Sequence, residues 1–420
     1  MAPAAPPCHI RGSGTARGPP SAPCNRDGSD ENEATKHMTI IRNGSVLLPD
    51  GTFEDRDVHV ADGIIVSLDG PRNGRTGTTG LVVDAAGLLV LPGLVDLHGD
   101  AFERQLMPRP GVSFPHVLAL VETDRQMAAS GITTAFHGLT CSFEPGLRSL
   151  DAAIRFLDEL DAARPLLGCD TRVHLRFENH NLDAAPKAEA WIDSGRVDLL
   201  SFNDHLAFML ARLDDRNKMT TYLARTGLSR DDFAALLRRA EAHGADVPAA
   251  LGRLAAAARA RNLPIASHDD PSPEVRGRYR ALGSRVSDFP ETMDTARAAR
   301  DHHDAVILGA PNVVRGASHD KRLTAMDAIA NGLCDVLASD YFYPALPQAP
   351  FILDRRGLLP LGKAWDLVSA NPALAAGLDD RGRIAEGLRA DLVLVDTSRP
   401  DLPRVRLAMA GGKIVFGTCC

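Results

Sequence analysis

Two kinds of segment alternate along the chain from residue 91 to residue 379. Short apolar runs of strand length recur, and amphipathic stretches with a helical period separate them, for example at residues 231–243, 247–262, 291–302 and 322–332. The candidate strands lie near residues 90–97, 133–138, 172–177, 198–203, 264–268, 284–288, 305–309 and 335–339. Eight strand–helix units predict an α/β fold, a (β/α)8 TIM-like barrel. A doubly wound open sheet is the alternative, but no Gly-x-Gly-x-x-Gly turn follows a strand.

Both ends of the chain have a different pattern. Residues 38–90 and 380–420 contain short strand-like segments separated by turns, which predict a small β-sandwich domain formed by both chain ends. Residues 1–37 are rich in Pro, Ala, Gly and Ser and have almost no bulky aliphatic side chains, so we expect a disordered N-terminal tail.

Several of the apolar runs end in a histidine or an acid. The run Leu88–Leu97 leads into His98 and Asp100, whose side chains share one side of an extended segment. Because the carboxyl ends of parallel strands meet on the catalytic face of a barrel, five such endings together favour a metal centre. A lone histidine is more often a hydrogen-bonded polar residue of the interior. The other four endings are Glu178, Asp204-His205, His268-Asp269 and Asp340.

Composition excludes several classes of partner. The net charge is −7 and no basic stripe stands out, so we expect no nucleic-acid partner. No apolar run reaches the roughly 20 residues that a membrane span needs, so we expect no membrane partner. The seven cysteines form no regular framework, which favours reduced thiols in a cytoplasmic protein. A homodimer is compatible with the sequence.

Longer motifs resemble a known family. The segment Pro92–Asp100 resembles the first-strand motif of the amidohydrolase superfamily, and Asn371–Asp396 resembles its closing segment. Within that superfamily the chain resembles the α-D-ribose 1-methylphosphonate 5-triphosphate diphosphatases of the carbon–phosphorus lyase pathway. The motifs that carry the narrower resemblance are Pro108-Arg-Pro-Gly, Ala266-Ser-His-Asp-Asp, Gly309–His319 and Ala338-Ser-Asp-Tyr. The family motif is expected to begin His-Thr-Asp-Asn, whereas this chain has His98-Gly-Asp-Ala.

The strand endings and the resemblance together imply a set of site residues. Six ligands exceed what one tetrahedral ion needs, so two divalent ions are expected, with Zn as first choice and Mn, Fe or Ni as alternatives. Glu178 would bridge the ions and Asp340 would also act as the general base, while Asp269 and Asp270 would orient ligands. The predicted metal ligands are His98, Asp100, Glu178, His205, His268 and Asp340, and the predicted substrate-binding residues are Arg104, Arg109, Arg315, His319 and Lys321.

The resemblance implies that a metal-activated water attacks a small phosphorylated molecule, α-D-ribose 1-methylphosphonate 5-triphosphate, and releases pyrophosphate. The alternative is an amidohydrolase that cleaves a cyclic amide or deaminates a small heterocycle, because most superfamily members break carbon–nitrogen bonds. A barrel that only binds a ligand would have lost metal ligands, and the expected ligand types are all present.

Overall fold

The computed structural model describes residues 38–68, 80–316 and 323–418 of the chain. The tail predicted at residues 1–37, and the predicted substrate contacts His319 and Lys321, lie outside these described residues.

Within the described residues, sixteen strands fall into two sheets of eight strands each. Strands β6 to β13 form the first sheet and pair in chain order, and every pair is parallel. The strands are β1 Met38–Leu47, β2 Phe53–Ala61, β3 Ile64–Ser67, β4 Gly80–Asp84, β5 Leu88–Pro92, β6 Leu94–Gly99, β7 Ile132–Cys141, β8 Asp170–Glu178, β9 Leu199–Asn203, β10 Ile265–His268, β11 Val286–Asp288, β12 Ala305–Gly309, β13 Val336–Ala338, β14 Leu392–Asp396, β15 Arg404–Ala410 and β16 Lys413–Gly417.

The parallel sheet curls until its first and last strands meet. The Asp340 N–H donates to the His98 carbonyl at 2.9 Å, and the Asp100 N–H donates to the Asp340 carbonyl at 3.0 Å. These bonds tie the end of β13 to the end of β6, so the barrel is nearly closed. All eight predicted barrel strands are present, and the (β/α)8 prediction is confirmed.

Helices connect the barrel strands on the outside. Side-chain oxygens cap several of their N-termini, among them Ser229, Ser272 and Thr292, and each accepts from a backbone N–H three residues later. The helices are α1 Glu103–Leu106, α2 His116–Ala129, α3 Leu150–Ala163, α4 Ala185–Asp193, α5 Leu206–Leu210, α6 Arg216–Thr226, α7 Arg230–Ala242, α8 Val247–Ala260, α9 Pro273–Ala281, α10 Met293–Asp301, α11 Ala310–Arg315, α12 Ala325–Ala330, α13 Ala345–Arg355, α14 Leu361–Asp366 and α15 Ala370–Ala375. Within the described ranges, none of these helices has the length and apolar character needed to cross a membrane.

Helices α5, α6 and α7 form an insertion between β9 and β10. Its small apolar core contains Leu206, Met209, Phe233 and Leu237, with Phe143 of the β7–α3 loop packed against it. The insertion therefore follows the carboxyl end of a barrel strand, on the face where barrel enzymes carry their chemistry.

The second sheet combines both ends of the described chain. Its strand order is β16-β15-β14-β5-β1-β2-β3, and β4 also pairs with β1. Residues from both ends share a core, among them Ile41, Val58, Ile65 and Leu392. The indole N–H of Trp365 on α14 donates to the Pro92 carbonyl at 3.0 Å, where the chain passes from this sheet into the barrel. The predicted β domain built from the two chain ends is therefore confirmed.

Candidate metal centre and active site

Two histidines and an acid meet at the carboxyl ends of three barrel strands. His98 ends β6 and Asp288 ends β11 on the other side of the barrel, and His98 Nδ1 lies 2.7 Å from Asp288 Oδ2. His268 stands opposite Asp288 in the β10–β11 register. One ligand atom from each of the three lies within 4.8 Å of the others, so this buried group can hold a metal ion.

A second candidate group shares His268. Asp269 Oδ2 lies 3.5 Å from both His268 Nδ1 and His205 Nε2, and the three residues form the second group with metal-ligand spacing. Asp269 has a φ of 57°, in the left-handed region that non-glycine residues seldom adopt. Such strain persists where the surroundings impose it, and it aims this carboxylate at the two imidazoles.

Glu178 holds His205 in place. Its two oxygens accept hydrogen bonds from the backbone N–H and the Nδ1–H of His205, both at 2.8 Å. A carboxylate that orients the far nitrogen of a histidine leaves Nε2 for a ligand, which is a common arrangement behind metal sites. The predicted bridging role of Glu178 stays a prediction, since both of its oxygens are engaged by His205.

Three of the six predicted ligands, His98, His205 and His268, fall within the two groups. Asp100 and Asp340 lie beside them, joined by the backbone bond that closes the barrel, but neither belongs to a group with ligand spacing among the described residues. Asp340 has a φ of 55°, so the chain turns sharply where this side chain leaves β13. Their roles as ligands stay predictions.

Sequence reasoning missed Asp288 and treated Asp269 as an orienting residue. Asp288 ends a strand as the other acids do, so the same rule would have found it. The strand was predicted near residues 284–288, but Val286–Asp288 has a single apolar residue, so its acidic end was not singled out as the end of an apolar run. Asp270 fits the orienting role, because it accepts from Ser267 Oγ at 2.5 Å instead of joining either group.

The buried donor atoms fit a divalent cation. On β8, the Nδ1 atom of His174 lies 3.0 Å from the Leu97 carbonyl oxygen. Because a carbonyl oxygen only accepts, this contact favours the tautomer with the proton on Nδ1 and leaves a lone pair on Nε2. Among the described residues, His174 Nε2 and Asp288 Oδ1 are buried without a hydrogen-bond partner. Imidazole nitrogens and carboxylate oxygens that lack partners are suited to a first-row transition metal.

Arg176 on β8 contacts both kinds of ligand. Its Nη2 lies 3.1 Å from His268 Nε2, and its Nη1 lies 3.6 Å from Asp100 Oδ2. The guanidinium supplies positive charge among several carboxylates, which compensates part of their mutual repulsion. Arg176 was not predicted, since an arginine inside a strand resembles an ordinary surface residue in sequence.

Burial controls the protonation of the metal-centre residues. It lowers the pKa values of His98 and His174 to about 3, so both imidazoles are neutral and competent as ligands. Burial raises the pKa of Asp288 to about 7, and burial with the neighbouring Asp100 raises that of Asp340 to about 8. Burial acts to lower the pKa of His205, but Glu178 and Asp269 outweigh it and raise the pKa to about 9. A bound cation would displace these protons.

We expect the metal-free protein to lose stability as pH rises from 7 to 9. The raised pKa of His205, about 9 against the ordinary 6.5, adds stability that is complete below pH 6.5 and lost as pH passes 9. The neutral form of Asp340, whose pKa is about 8, also adds stability that is lost as pH rises through 8. The lowered pKa of His98 has the opposite effect, since it makes the folded protein more stable as pH rises toward 6.5, and this gain is complete above pH 6.5. Together they predict a loss on the order of 2–3 kcal/mol, measurable by denaturant unfolding after chelation.

The metal-loaded protein is the control for this pH dependence. The cation replaces the protons at the same groups, so its stability should change little over the same pH range. A metal-free protein that is equally stable at pH 7 and pH 9 would contradict the expectation.

Two of the predicted substrate-binding arginines converge on Tyr341, the residue after Asp340. Arg104 Nη2 donates to the Tyr341 carbonyl, and Arg315 Nη1 lies 3.4 Å from the Tyr341 hydroxyl. They lie on the short helices α1 and α11, which follow β6 and β12 on the same face as the metal centre. Arg109 is exposed, and its described contact is a backbone bridge to Val112, so its role stays a prediction.

Gly99 accounts for part of the unusual first motif. A Cβ at this position would lie 2.8 Å from Asp96 Oδ2, 3.1 Å from Tyr343 Cε1 and 3.2 Å from Ser339 Oγ. Ser339 donates to Asp96 at 2.5 Å, so these groups are already held together. The threonine expected from the family motif would therefore require its neighbours to shift, and glycine fits this packing.

Comparison with known proteins supports the assignment of the fold and identifies the family. A model described as amidohydrolase family matches residues 340–416. The α-D-ribose 1-methylphosphonate 5-triphosphate diphosphatase of Escherichia coli (strain K12) is 34% identical over 326 residues, which cover 74% of this chain and 84% of that protein. A dihydroorotase of Halobacterium salinarum is 28% identical over 403 residues, which cover 81% of this chain and 86% of that protein.

Solved structures agree on the fold. The crystal structure of a prolidase complexed with N-methylphosphonate-L-proline has a TM-score of 0.60 at 14% identity, and the match covers 91% of this chain and 100% of that one. At this identity the likeness concerns the fold alone. The two sheets, the histidines and acids at the strand ends, and the extent of the match to the E. coli protein lead to one conclusion: the chain belongs to the amidohydrolase superfamily.

Proposed function

We propose that this hydrolase releases pyrophosphate from α-D-ribose 1-methylphosphonate 5-triphosphate. One observation carries the proposal: Arg104 and Arg315 both contact Tyr341, directly after Asp340, so two guanidinium groups stand beside the metal-centre loop. Arginine suits phosphoryl groups because its planar fork binds two oxygens at once. The 34% identity to a protein named for this activity supports the choice of substrate.

Superfamily membership implies a divalent metal, and we propose two ions, with zinc as first choice. The two ligand groups, which share His268, support two neighbouring positions. A bound cation at such a site lowers the pKa of water and polarises the phosphoryl oxygen. The mixed nitrogen and oxygen ligands also suit Mn, Fe or Ni.

The residues of the chain have separate tasks in the proposed reaction. Asp340 accepts the proton of the attacking water, since its carboxylate leaves β13 beside Asp100 at the mouth of the barrel. The water oxygen forms a bond to the α-phosphorus, and the bond from the α-phosphorus to the bridging oxygen breaks. That oxygen leaves with the β- and γ-phosphoryl groups as pyrophosphate, and the ribose 1-methylphosphonate keeps a 5-phosphate.

Charge develops on the leaving pyrophosphate as this bond breaks. Arg104 and Arg315 supply positive charge where the leaving group would lie, and such preorganised electrostatic stabilisation is usually the largest catalytic contribution. The small phosphorylated substrate is therefore the proposed partner of this site.

Replacing Asp340 with asparagine should lower pyrophosphate release by about 100-fold or more, since a general base contributes roughly 10²- to 10⁴-fold. The assay measures pyrophosphate from α-D-ribose 1-methylphosphonate 5-triphosphate with the metal-loaded enzyme. Metal content is determined for each variant, and ATP serves as the comparison substrate. Asp294→Asn is the matched control, because Asp294 pairs with Arg297 on the exposed face of α10.

The outcomes separate the site from the substrate. Full activity of Asp340→Asn would rule out the role of base. If the wild-type protein binds metal but releases no pyrophosphate, the proposed substrate is rejected, while the proposed metal centre is not.

A second candidate function is the hydrolysis of a cyclic amide or deamination of a small heterocycle. The 28% identity to a dihydroorotase favours this alternative. The arginines at Tyr341 favour the phosphorylated substrate, because a cyclic amide does not need two guanidinium groups. A screen of cyclic amides and heterocyclic bases with the metal-loaded enzyme distinguishes the two.

We also propose that the protein works in a reducing compartment such as the cytoplasm. Cys141, Cys169 and Cys334 are thiols without a disulfide among the described residues. Burial raises the pKa of Cys141 to about 12, which keeps it a protonated and unreactive thiol.

A further inference from the structure

Two more arginines at the barrel mouth are each held by a glutamate. Arg148, in the loop after β7, donates through Nε and Nη2 to the two oxygens of Glu103, at 2.9 and 2.8 Å. Arg225, near the end of α6, donates in the same way to the two oxygens of Glu144, at 3.0 and 2.8 Å. Both pairs are fork-to-fork contacts, which fix the plane of each guanidinium.

Each guanidinium keeps one edge available. The glutamates engage Nε and Nη2, and among the described residues Nη1 of neither arginine donates a hydrogen bond. Both side chains are partly exposed, 22% for Arg148 and 18% for Arg225, so each can be reached from solvent. A guanidinium held at one edge and open at the other can accept a second anion without a large loss of side-chain entropy.

The loop that carries Arg148 and Glu144 is itself held rigidly. The Ser142 N–H donates to the Arg148 carbonyl at 2.7 Å, which closes the loop. Gly146 has a φ of 87°, and a Cβ there would lie 2.9 Å from the Arg225 carbonyl, so α6 packs closely on this loop. Glu144 is 2% exposed, and a buried carboxylate of this kind requires its cationic partner. The two arginines are thus preorganised relative to each other.

Arg148 lies within electrostatic range of the metal centre. Asp100 is among the carboxylates that raise the pKa of Arg148, after Glu103, and Arg148 is among the charges that lower the pKa of His98. Arg148 follows β7 and Arg225 follows β9, whereas Arg315 and Tyr341 follow β12 and β13. The order of strands around the barrel therefore separates Arg148 and Arg225 from Arg315 and Tyr341, and Arg104, which follows β6, lies between them.

We propose that Arg148 and Arg225 form an anion subsite that binds a phosphoryl or phosphonate group at the end of the substrate remote from Tyr341. The identity of the substrate rests on the proposed function, while the subsite itself requires only an anion of this class. A ribose that carries anionic groups at both ends needs cations on both sides of the reacting phosphorus, which is the distribution of charge across this barrel mouth.

The competing explanation is structural: the pairs only fasten the insertion of α5 to α7 onto the barrel. The two explanations differ in what the glutamates do. A purely structural ion pair is broken equally by removal of either partner. In an anion subsite the arginine attracts the ligand and the glutamate competes with it, so the two removals have different effects on ligand affinity.

The test measures, by calorimetry, the affinity of metal-loaded protein for methylphosphonate, the anionic group at the end of the substrate remote from Tyr341. Arg148→Met should weaken binding about 10- to 100-fold, as expected for the loss of a charge-assisted contact. Glu103→Gln should leave the affinity unchanged or increase it. Arg225→Met and Glu144→Gln form the second pair of variants. Arg196→Met is the control, since Arg196 pairs with Asp158 on the outside at a similar side-chain exposure, 25% against 22% for Arg148.

Each outcome bears on the subsite. Equal losses for Arg148→Met and Glu103→Gln, or an unchanged affinity for both arginine variants, would overturn it. If Arg148→Met does not fold, Arg148→Lys replaces it, and an intermediate loss is expected because lysine keeps the charge but not the fork. Methylphosphonate binding that depends on Arg148 in a protein without pyrophosphate release would support the subsite and reject the proposed function. Pyrophosphate release by a protein whose anion binding does not depend on Arg148 would support the proposed function and reject the subsite.

Discussion

Replacing His268 with alanine should remove bound metal and lower hydrolytic activity on the order of 10⁴-fold, an effect of several kcal/mol on the reaction barrier. His268 is the residue shared by both ligand groups. Its loss therefore removes one of the three ligands from each group, whereas the loss of any other ligand would affect one group only. Metal per chain after dialysis, together with turnover at saturating metal, measures the two parts of the prediction.

His243→Ala is the matched control for the loss of an imidazole. His243 is an exposed residue after α7, and its Nδ1 lies 2.8 Å from the Arg239 carbonyl. This variant should keep the wild-type metal content and activity. A His268→Ala protein that binds the same amount of metal as wild type would show that the ion lies elsewhere.

Replacing Arg276 with methionine should destabilise the folded protein by about 3–5 kcal/mol. Arg276 is fully buried on α9, its Nη2 lies 2.7 Å from Asp304, and its Nη1 lies 3.7 Å from Asp270 and 2.7 Å from Ser267 Oγ. Methionine fills much of the space but leaves the buried Asp270 carboxylate without its cation and leaves Asp304 with Arg280 alone, at 3.3 Å. The expected result is a fall in Tm of roughly 5–15 °C in a thermal melt.

A surface ion pair supplies the comparison. Arg297 on α10 lies 2.7 Å from Asp294, with both side chains mostly exposed, and pairs of this kind contribute less than about 1 kcal/mol. Arg297→Met should therefore leave the Tm close to that of wild type. Equal melting temperatures for the two variants would mean that the buried network around Arg276 contributes no more than a surface pair.

The Arg276 network also bears on the site. Ser267 and Asp270 flank His268 and Asp269 in sequence, and Ser267 bonds to both Arg276 and Asp270. Burial raises the pKa of Asp270 to about 6, and loss of the nearby guanidinium would favour its neutral form further. The segment that carries the ligand candidates His268 and Asp269 is thus held in place by the buried charges of Asp270 and Arg276.

Most barrel strands were predictable because apolar residues recur along a short segment that amphipathic helices or turns follow. β7 and β8 show this pattern clearly, and the predicted positions near 133–138 and 172–177 lie inside Ile132–Cys141 and Asp170–Glu178. The predicted helix at 322–332 is shorter in the structure and begins at Ala325, after the capping residue Thr324. Helix ends depend on one or two local bonds, so periodicity locates them less well than it locates the helix itself.

The amino-acid sequence was sufficient for the fold and for the family, and it singled out three histidines that the structure brings together in the candidate ligand groups. Periodicity reports which side of each element is buried, and His98, His205 and His268 follow apolar runs that must end at one face of a barrel. These inferences need only local order along the chain, which the sequence contains directly.

The partners of those histidines were decided by tertiary structure. The contact of His98 with Asp288 spans 190 positions, and that of Glu178 with His205 depends on how two neighbouring strands are aligned. Pairing across the barrel depends on strand register and on side-chain direction, neither of which periodicity determines. The same reason explains Arg148 and Arg225, because their glutamates come from other loops and only the folded chain brings each pair into contact.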